Sequence, residues 1–363
     1  MATDLVIPSD RTDEAHAVVE GVVPPYAPSW IDSLDSWIES RPGPSWVVYV
    51  VLIGIFVLFA IVEPSLDGAT DPAVWATALF WGIVVPLTLW LFHHLKDVAG
   101  SAFDVFRPAL AIAEDEAWRM RYVLTVTPAR VALVILLANL VFTLVYYFVD
   151  PASAAVVGLS PIGMVLRFVS EVLFGALLLT LFLQSGRQLR SVVRTHAAAT
   201  RVDLFRPSPL YAFSVLTART AIVIALLTII PALVGVAGTT LSTTVVVVLV
   251  PWMIAGVILA GLVFVVPLRG MHLRIVMEKR RLQTDVGGRI ESTMGAIHER
   301  IDDGDAKAAG EFQNVMQVLV MERDLVDKLP TLPWRPGTAG AVVSAVVAPL
   351  ALFVVTQLLE PLI

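Results

Sequence analysis

Leu329-Pro-Thr-Leu-Pro-Trp-Arg-Pro-Gly337 stands between a long charged segment and an apolar run that extends to Leu359. Its three prolines interrupt a helix, because each lacks a backbone N–H and disfavours helical geometry in the residue before it. The apolar run is long enough to cross the hydrocarbon core of a membrane. The stretch therefore predicts a stiff elbow that leads from a charged helical hairpin into a last membrane span.

The composition of the whole chain is typical of an integral membrane protein. Hydrophobic residues make up 57% of the sequence, charged residues make up 15%, and the mean hydropathy is +0.80. Such a chain is too apolar for a soluble domain of its length. The predicted fold class is an all-α polytopic membrane protein with seven transmembrane helices. The predicted spans lie near residues 46–63, 73–93, 131–149, 162–184, 220–236, 241–268 and 337–359.

The arginines and lysines predict the orientation of these spans. Arg167 lies inside a span, and the other basic residues lie in the N-terminal segment or in alternate connections. Because connections rich in lysine and arginine stay on the cytoplasmic side, the N-terminus is predicted to be cytoplasmic and the C-terminus outside. No cleaved signal is expected, since no basic segment with a short apolar run begins the chain. The protein is thus predicted to be a multi-pass protein of the cell membrane.

These spans divide the chain into four predicted regions. Residues 1–45 form an acidic cytoplasmic segment, residues 46–268 contain six spans with two helical cytoplasmic connections, residues 269–335 form the hairpin and elbow, and residues 336–363 hold the seventh span. The connections are expected to build one cytoplasmic helical domain. The first region contains an amphipathic helix whose acidic face favours packing on that domain over anionic lipid. Its apolar residues are Trp30, Ile31, Leu34, Trp37 and Ile38, opposite Asp32, Asp35 and Glu39.

The first two connections contain an internal repeat. Asp104-Val-Phe-Arg-Pro108 recurs as Asp203-Leu-Phe-Arg-Pro207. Each copy joins an inward-running span to an outward-running one, so the duplication is parallel. Secondary transporters more often contain inverted repeats. The repeat therefore disfavours a transporter.

The fourth span contains an ionisable pair, Arg167 and Glu171, one helical turn apart. Charged residues inside a membrane are costly and are candidates for functional sites. A ligand or ion role is one interpretation; a structural ion pair, or Arg167 reaching outward with Glu171 facing Asn139, is the other. Trp75 and Tyr146 near the outer span ends could complete a ligand pocket, although an interfacial aromatic belt explains them at least as well.

The last span has two kinds of face. Small side chains recur every three or four residues, a spacing that lets another helix approach closely. These residues are Gly337, Ala341, Ser344, Ala348 and Ala351. Polar residues gather near the predicted outer end, at Thr356, Gln357 and Glu360.

No motif for catalysis or for a cofactor occurs, so neither an enzyme nor a bound cofactor is expected. The chain has no cysteine, which excludes disulfides and thiolate metal sites. His93 and His94 are adjacent, and a helix points them in different directions, which disfavours a shared metal. His298 fits a solvated helix face. The acidic pI of about 5.5 gives no indication of nucleic-acid binding.

Seven spans with a cytoplasmic N-terminus resemble the seven-transmembrane ion channel superfamily of the insect odorant and gustatory receptors. That family often has a Thr-Tyr pair, five apolar residues and Gln-Phe in its last span; here Leu350-Ala351 replaces Thr-Tyr, and Gln357 precedes Leu358. Two other segments, residues 209–219 and 329–334, resemble prokaryotic multi-span proteins with no assigned activity.

The resemblance implies a tetrameric cation channel whose last helix lines the pore and whose ligand pocket lies in the outer half of the earlier helices. The pore candidates are Ser344, Thr356, Gln357 and Glu360. The ligand-pocket candidates are Arg167, Glu171, Asn139, Trp75 and Tyr146. The lipid bilayer, further copies of the chain and a small-molecule ligand are the expected partners. The alternative hypothesis is a non-conducting membrane sensor or scaffold that acts through its cytoplasmic helical domain.

Overall fold

The structure is a computed structural model. It describes residues 23–66, 68–149, 160–198, 203–205, 207–236, 243–304 and 306–359. In these ranges the secondary structure is helical, apart from turns and one isolated β-bridge between Pro28 and Pro128. The helices are α1 (Trp30–Glu39), α2 (Ser45–Leu66), α3 (Pro72–Phe106), α4 (Glu114–Thr125), α5 (Ala129–Val149), α6 (Pro161–Ala198), α7 (Pro207–Val236), α8 (Thr243–Val265), α9 (Arg269–Asp302), α10 (Ala306–Lys328) and α11 (Thr338–Leu359).

Six helical segments are long and apolar enough to cross a membrane. They belong to α2, α3, α5, α6, α7 and the continuous run of α8 into α9. The all-α fold of a multi-pass membrane protein is therefore confirmed at the level of six candidate spans. In α11 the apolar part whose side chains are described, Thr338–Ala348, is shorter than a span. The seventh span and the orientation of the termini stay predictions.

Several helices extend well beyond their predicted spans at one end of the bundle, which we call the basic end. The C-terminal part of α3, the C-terminal part of α6 and the beginnings of α7 and α9 meet there around a buried aromatic and aliphatic core. Phe103, Phe106 and Phe213 are almost completely buried in this core. Burying each of these large side chains stabilises the fold by about 1.5 to 3 kcal/mol. This burial fixes how the helical extensions pack against one another.

The two copies of the repeated motif take different positions. In the first copy Phe106 is the last residue of α3 and is fully buried. In the second copy Phe205 lies in a turn before α7 and is 60% exposed. The sequence duplication is therefore not matched by equivalent packing.

The hairpin of α9 and α10 packs chiefly on itself. Lys279 donates to the main-chain oxygens of Asp327 and Leu329, at 2.7 and 2.8 Å, and Gln283 donates to the Asp327 carboxylate at 2.7 Å. Near its membrane end α9 meets α6, where Arg274 donates to the oxygen of Ala197. Over most of the described hairpin the outer faces are exposed. The expected core shared with the other two connections includes Met271, Ile275 and Leu282 of α9 and Leu329 after α10.

Candidate functional site

The predicted pair on α6 forms as expected. The Arg167 Nε donates to Glu171 Oε1 over 2.8 Å, and the two side chains are only 12% and 15% exposed. The Arg167 guanidinium also lies 5.5 Å from the ring centre of Trp81 on α3, within the range of a cation–π contact.

A cavity, which we call the Arg167 cavity, opens beside this pair, between α2, α3 and α6. Its interior volume is about 20 Å³, room for about one water molecule. A larger ligand would enter only if the surrounding helices moved apart. Its lining consists of Phe59, Ala60, Ala78, Trp81, Leu166, Arg167 and Ser170.

The other predicted pocket residues do not line this cavity. Asn139 on α5 donates to the main-chain oxygen of Val172, and its side chain lies directly over Gly175. It therefore joins α5 to α6 and does not serve as the partner of Glu171. Trp75 donates to the oxygen of Ala69, and the Tyr146 ring stacks on its neighbour Phe142. Of the five predicted residues, the structure places Arg167 at the cavity and Glu171 beside it.

In α11 the described side chains separate into two faces. Val342 and Val346 are buried, and the helix contacts α7. Ser344 is exposed, as are its small neighbours Ala341 and Ala348. Ser344 therefore points away from the helix bundle. The side chains of the other pore candidates, Thr356 and Gln357, and the whole of Glu360 lie outside the described part of the chain.

Two carboxylates on the acidic face of α1 are buried against the rest of the protein. Asp32 is 2% exposed and Asp35 is fully buried. The helix begins with a capping box, in which the Ser29 hydroxyl accepts from the Asp32 N–H and the Asp32 carboxylate accepts from Ser29 N–H. The same carboxylate accepts from the main-chain N–H of Thr127, at 3.0 Å. The predicted packing of α1 on the protein itself is therefore confirmed, but through its carboxylates as well as its apolar residues.

The residues before α1 extend this contact across the junction of α4 and α5. Tyr26 donates to the oxygen of Val126 and accepts from Arg187 on α6, while Tyr122 donates to the oxygen of Tyr26. Pro28 forms a bridge with Pro128. Residues 26–39 thus connect α3, α4, α5 and α6 at the basic end.

Asp35 is the centre of a charged cluster that the sequence did not predict; we call it the Asp35 cluster. Its Oδ1 lies 2.7 Å from His93 Nδ1 and accepts from the Tyr49 hydroxyl at 3.3 Å, and its Oδ2 accepts from Lys96 at 2.5 Å. Glu39 lies 3.5 Å from His93 and 3.8 Å from Lys96. The cluster therefore connects α1 to α2 and α3. Its members are Asp35, Glu39, Tyr49, His93, Lys96 and Asp97.

The two cations of the cluster set the charge of Asp35. Burial alone would raise the pKa of the Asp35 carboxyl, but the His93 hydrogen bond and the Lys96 charge outweigh burial and hold that pKa below its ordinary value. Burial raises the pKa of Glu39 and that of Asp32. Asp35 is thus the carboxylate that the fold holds ionised.

Asp35, Glu39 and His93 also have the donor atoms of a metal site. Their ligand atoms all lie within 4.8 Å of one another. However, the Lys96 ammonium contacts both carboxylates and supplies the positive charge that a metal ion would bring. This arrangement therefore fits an ion network joining helices better than a metal site. His94 points elsewhere: it stacks on Trp90 and contacts Arg219 on α7.

One sequence signal could have revealed the cluster. Asp32, Asp35 and Glu39 recur at helical spacing in a chain whose predicted second span ends at His93, close to Lys96 and Asp97. Acidic residues on a helix beside a membrane, and basic residues at the end of a span, can be complementary. No rule of spacing relates the two segments, because the pairing spans about sixty residues and depends on where α1 docks.

The comparisons with known proteins name no family for this chain. No protein-family model matches it, no curated protein matches it, and no solved structure matches its fold. Function must therefore be inferred from the chain's own sequence and geometry.

Proposed function

We propose that this chain is one subunit of an oligomeric, ligand-gated cation channel of the cell membrane. In this proposal the basic end lies in the cytoplasm with the N-terminus, α11 is the seventh span, and the C-terminus lies outside. The subunit is not an enzyme. The copies assemble with α11 around a central axis, as a tetramer if the resemblance to the insect receptor superfamily extends to assembly.

The exposed face of α11 is the observation that carries the proposal. Each residue turns a helix by about 100°, so Ser344 lies nearly opposite the side formed by Val342 and Val346. Around Ser344 on this side Gly340, Ala341 and Ala348 are small and Val347 is the larger residue, and an added Cβ at Gly340 would meet no described atom within 4 Å. A face of small residues is what close approach of another transmembrane helix requires. Further copies of α11 would supply that helix.

The Arg167 cavity supports ligand gating. A small polar ligand that widened this water-sized cavity would contact the Trp81 face, the Ser170 hydroxyl and the Arg167–Glu171 pair, in the half of the bundle far from the basic end. Three different helices wall the cavity, so a bound ligand would change how they pack. Acidic residues in the predicted outer segments would concentrate cations at the mouth. These residues are Glu63, Asp67, Asp71, Asp150 and Glu360.

The test is cation flux through lipid vesicles that contain the purified protein. Because the chain has no cysteine, Ser344→Cys introduces a single reactive thiol. A charged thiol reagent should reduce flux through this variant at least about tenfold, whereas the same reagent should leave Val343→Cys unchanged. Val343 is the matched control, since it is exposed but lies about 100° around the helix. Gln357→Arg should also abolish cation flux.

The absence of flux over a range of ligands and voltages, or a protein that is monomeric in the membrane, would exclude the channel. Equal inhibition of Ser344→Cys and Val343→Cys would remove α11 from the pore.

A non-conducting sensor or scaffold is the second candidate, and the α9–α10 hairpin favours it. Beyond its contacts with α9, α10 exposes a second apolar stripe of the kind that binds a partner helix. Loss of partner binding on Met321→Glu, with no flux in any variant, would support this candidate. The stripe consists of Val315, Val318, Met321 and Leu325.

A further inference from the structure

Both ring nitrogens of His93 lie next to carboxylates. Nδ1 is 2.7 Å from Asp35 Oδ1 and 3.5 Å from Glu39 Oε1, and Nε2 is 3.2 Å from Asp97 Oδ2. A neutral imidazole has a single N–H, so one of its nitrogens would turn a lone pair toward a carboxylate oxygen. The imidazolium has an N–H at both nitrogens. The geometry is therefore complementary to the doubly protonated ring.

The charge balance around the ring leads to the same conclusion. With a neutral His93, the buried Asp35, the partly exposed Glu39 and the exposed Asp97 would share the single positive charge of Lys96. A second proton on His93 raises the positive charges to two. In the described part of the chain, the remaining neighbours add no further carboxylate at contact distance. They are Tyr49 on α2, Asp32 one turn away on α1, His94 with Arg219 of α7, and the neutral Gln184, Ser185 and Gln188 of α6, which share a cavity with Lys96.

The proton on His93 is coupled to the docking of α1, because two of the three carboxylates belong to that helix. Asp35 and Glu39 are on α1, whereas His93, Lys96 and Asp97 are on α3. Loss of the second proton would leave Asp35 fully buried with one cation in place of two. If α1 separated from α3, the carboxylates of Asp35 and Glu39 would return to water, where they are stable without a partner.

We infer that α1 is a proton-dependent clamp, docked on α3 while His93 is an imidazolium and released when the ring loses its second proton. Histidine changes its charge within the physiological pH range, so the clamp responds to the pH on the side of the basic end. Release of α1 also detaches residues 26–32 from the α4–α5 junction and from α6. This inference goes beyond the proposed function and does not depend on whether the chain conducts ions.

The experiment measures the distance between α1 and α3 in the full-length protein in vesicles. Ser36→Cys and Ser101→Cys place spin labels at exposed positions on the two helices of the cysteine-free chain. With EDTA present, a single short distance is expected at about pH 5.5. At about pH 9 the docked fraction should fall at least about twofold as longer distances appear. Identical distance distributions at the two pH values would overturn the inference.

Two variants separate a proton-dependent clamp from a purely structural ion pair. His93→Gln removes the titrating ring, so the docked fraction should become equal at the two pH values. Asp97→Asn supplies an amide N–H to Nε2, so a neutral His93 can keep its Nδ1 proton on Asp35, and α1 should stay docked at about pH 9. A structural ion pair would instead lose docking in Asp97→Asn at both pH values.

A pH response that survives unchanged in His93→Gln would overturn the inference, as would weaker docking of Asp97→Asn at both pH values. Docking at about pH 9 that disappears only when EDTA is added would also overturn it. That outcome would show that a metal ion, in place of a second proton, holds the ring.

Discussion

The Asp35 cluster and the Arg167–Glu171 pair are both charged groups among apolar helices, but they join different numbers of helices. The Asp35 cluster draws its members from α1, α2 and α3, and its central carboxylate is fully buried. The Arg167–Glu171 pair lies within one turn of α6. The first joins three helices through hydrogen bonds and charge contacts, whereas the hydrogen bond of the second forms within α6 and Arg167 reaches α3 through its contact with Trp81.

This difference predicts different consequences when a charge is removed. A cation that neutralises a buried carboxylate of another helix is needed for docking, since without it that carboxylate is desolvated and unpaired. A partner within the same helix is less important for tertiary structure and more available for binding a ligand. The predictions below test this distinction, beginning with the largest expected effect.

Lys96→Met removes the cation closest to Asp35 while keeping most of the apolar side chain. We expect the free energy of unfolding to fall by about 1.5 to 3 kcal/mol, the usual worth of a hydrogen bond to a charged group, because His93 and Tyr49 still contact Asp35. Chemical unfolding of the variant and the wild type in detergent micelles measures this difference in the free energy of unfolding. The double variant Lys96→Met with Asp35→Asn should recover part of the loss, because the carboxylate that Lys96 neutralised is gone. A loss below about 1 kcal/mol would mean that the cluster behaves like an exposed ion pair.

Gly175→Ala tests the contact beside the Arg167–Glu171 pair that does join two helices. The new Cβ would lie 2.5 Å from Asn139 Oδ1, so α5 and α6 must separate or Asn139 must move. Such overpacking costs about 1 to 3 kcal/mol. Gly186→Ala is the matched control on the same helix, where an added Cβ meets no atom within 4 Å. We expect it to stabilise by up to about 1 kcal/mol, the gain in helix propensity. Equal effects of the two variants would contradict the close contact.

Acidification should weaken the docking of α1 through Asp35. The pKa of this carboxyl is lower in the folded protein than in the unfolded chain, so its contribution to stability is complete above the unfolded value, about 3.9, and is lost as the pH falls through the folded value. The effect is smaller than that of Lys96→Met, because protonation leaves a neutral group, whereas Lys96→Met leaves a buried carboxylate with one cation in place of two. The fall in Tm below about pH 4 should be smaller in Asp35→Asn than in the wild type.

Asp32 and Glu39 provide an internal contrast for this measurement. Their pKa values are raised by burial, so the folded state binds protons more readily than the unfolded chain, and acidification acts in the stabilising direction at these groups. A wild-type acid response of the same size as that of Asp35→Asn would contradict the assignment of the acid effect to Asp35.

Glu171→Gln should have the smallest effect on stability. The amide oxygen can still accept from Arg167, and the contact of Arg167 with Trp81 of α3 stays in place, so we expect a loss of about 1 kcal/mol or less. The ligand response of the reconstituted protein, measured as ligand-dependent cation flux, should change more clearly than the stability does, because the pair borders the Arg167 cavity. An unchanged response in Glu171→Gln would mean that the pair is structural.

Much of the fold could be predicted from local sequence. The long apolar runs predicted membrane-spanning helices, and the described helices begin within a few residues of most predicted spans, as at Ser45, Pro72, Ala129 and Pro161. The prolines between Pro330 and Pro336 predicted the break between α10 and α11. These features depend on hydrophobicity and on backbone geometry, which act within a few residues of the chain.

The sites were predictable only where both partners lie on one helix. Arg167 and Glu171 are four residues apart, so helical spacing alone brought them together. Tertiary structure decided that Trp81 faces the Arg167 cavity while Trp75 and Tyr146 do not, and that Ser344 lies opposite the side of α11 formed by Val342 and Val346. It also placed Asp35 of α1 against His93 and Lys96 of α3. A carboxylate on an amphipathic helix carries the same local signal whether it faces water or a lysine on another helix, and only the packing of the helices distinguishes the two.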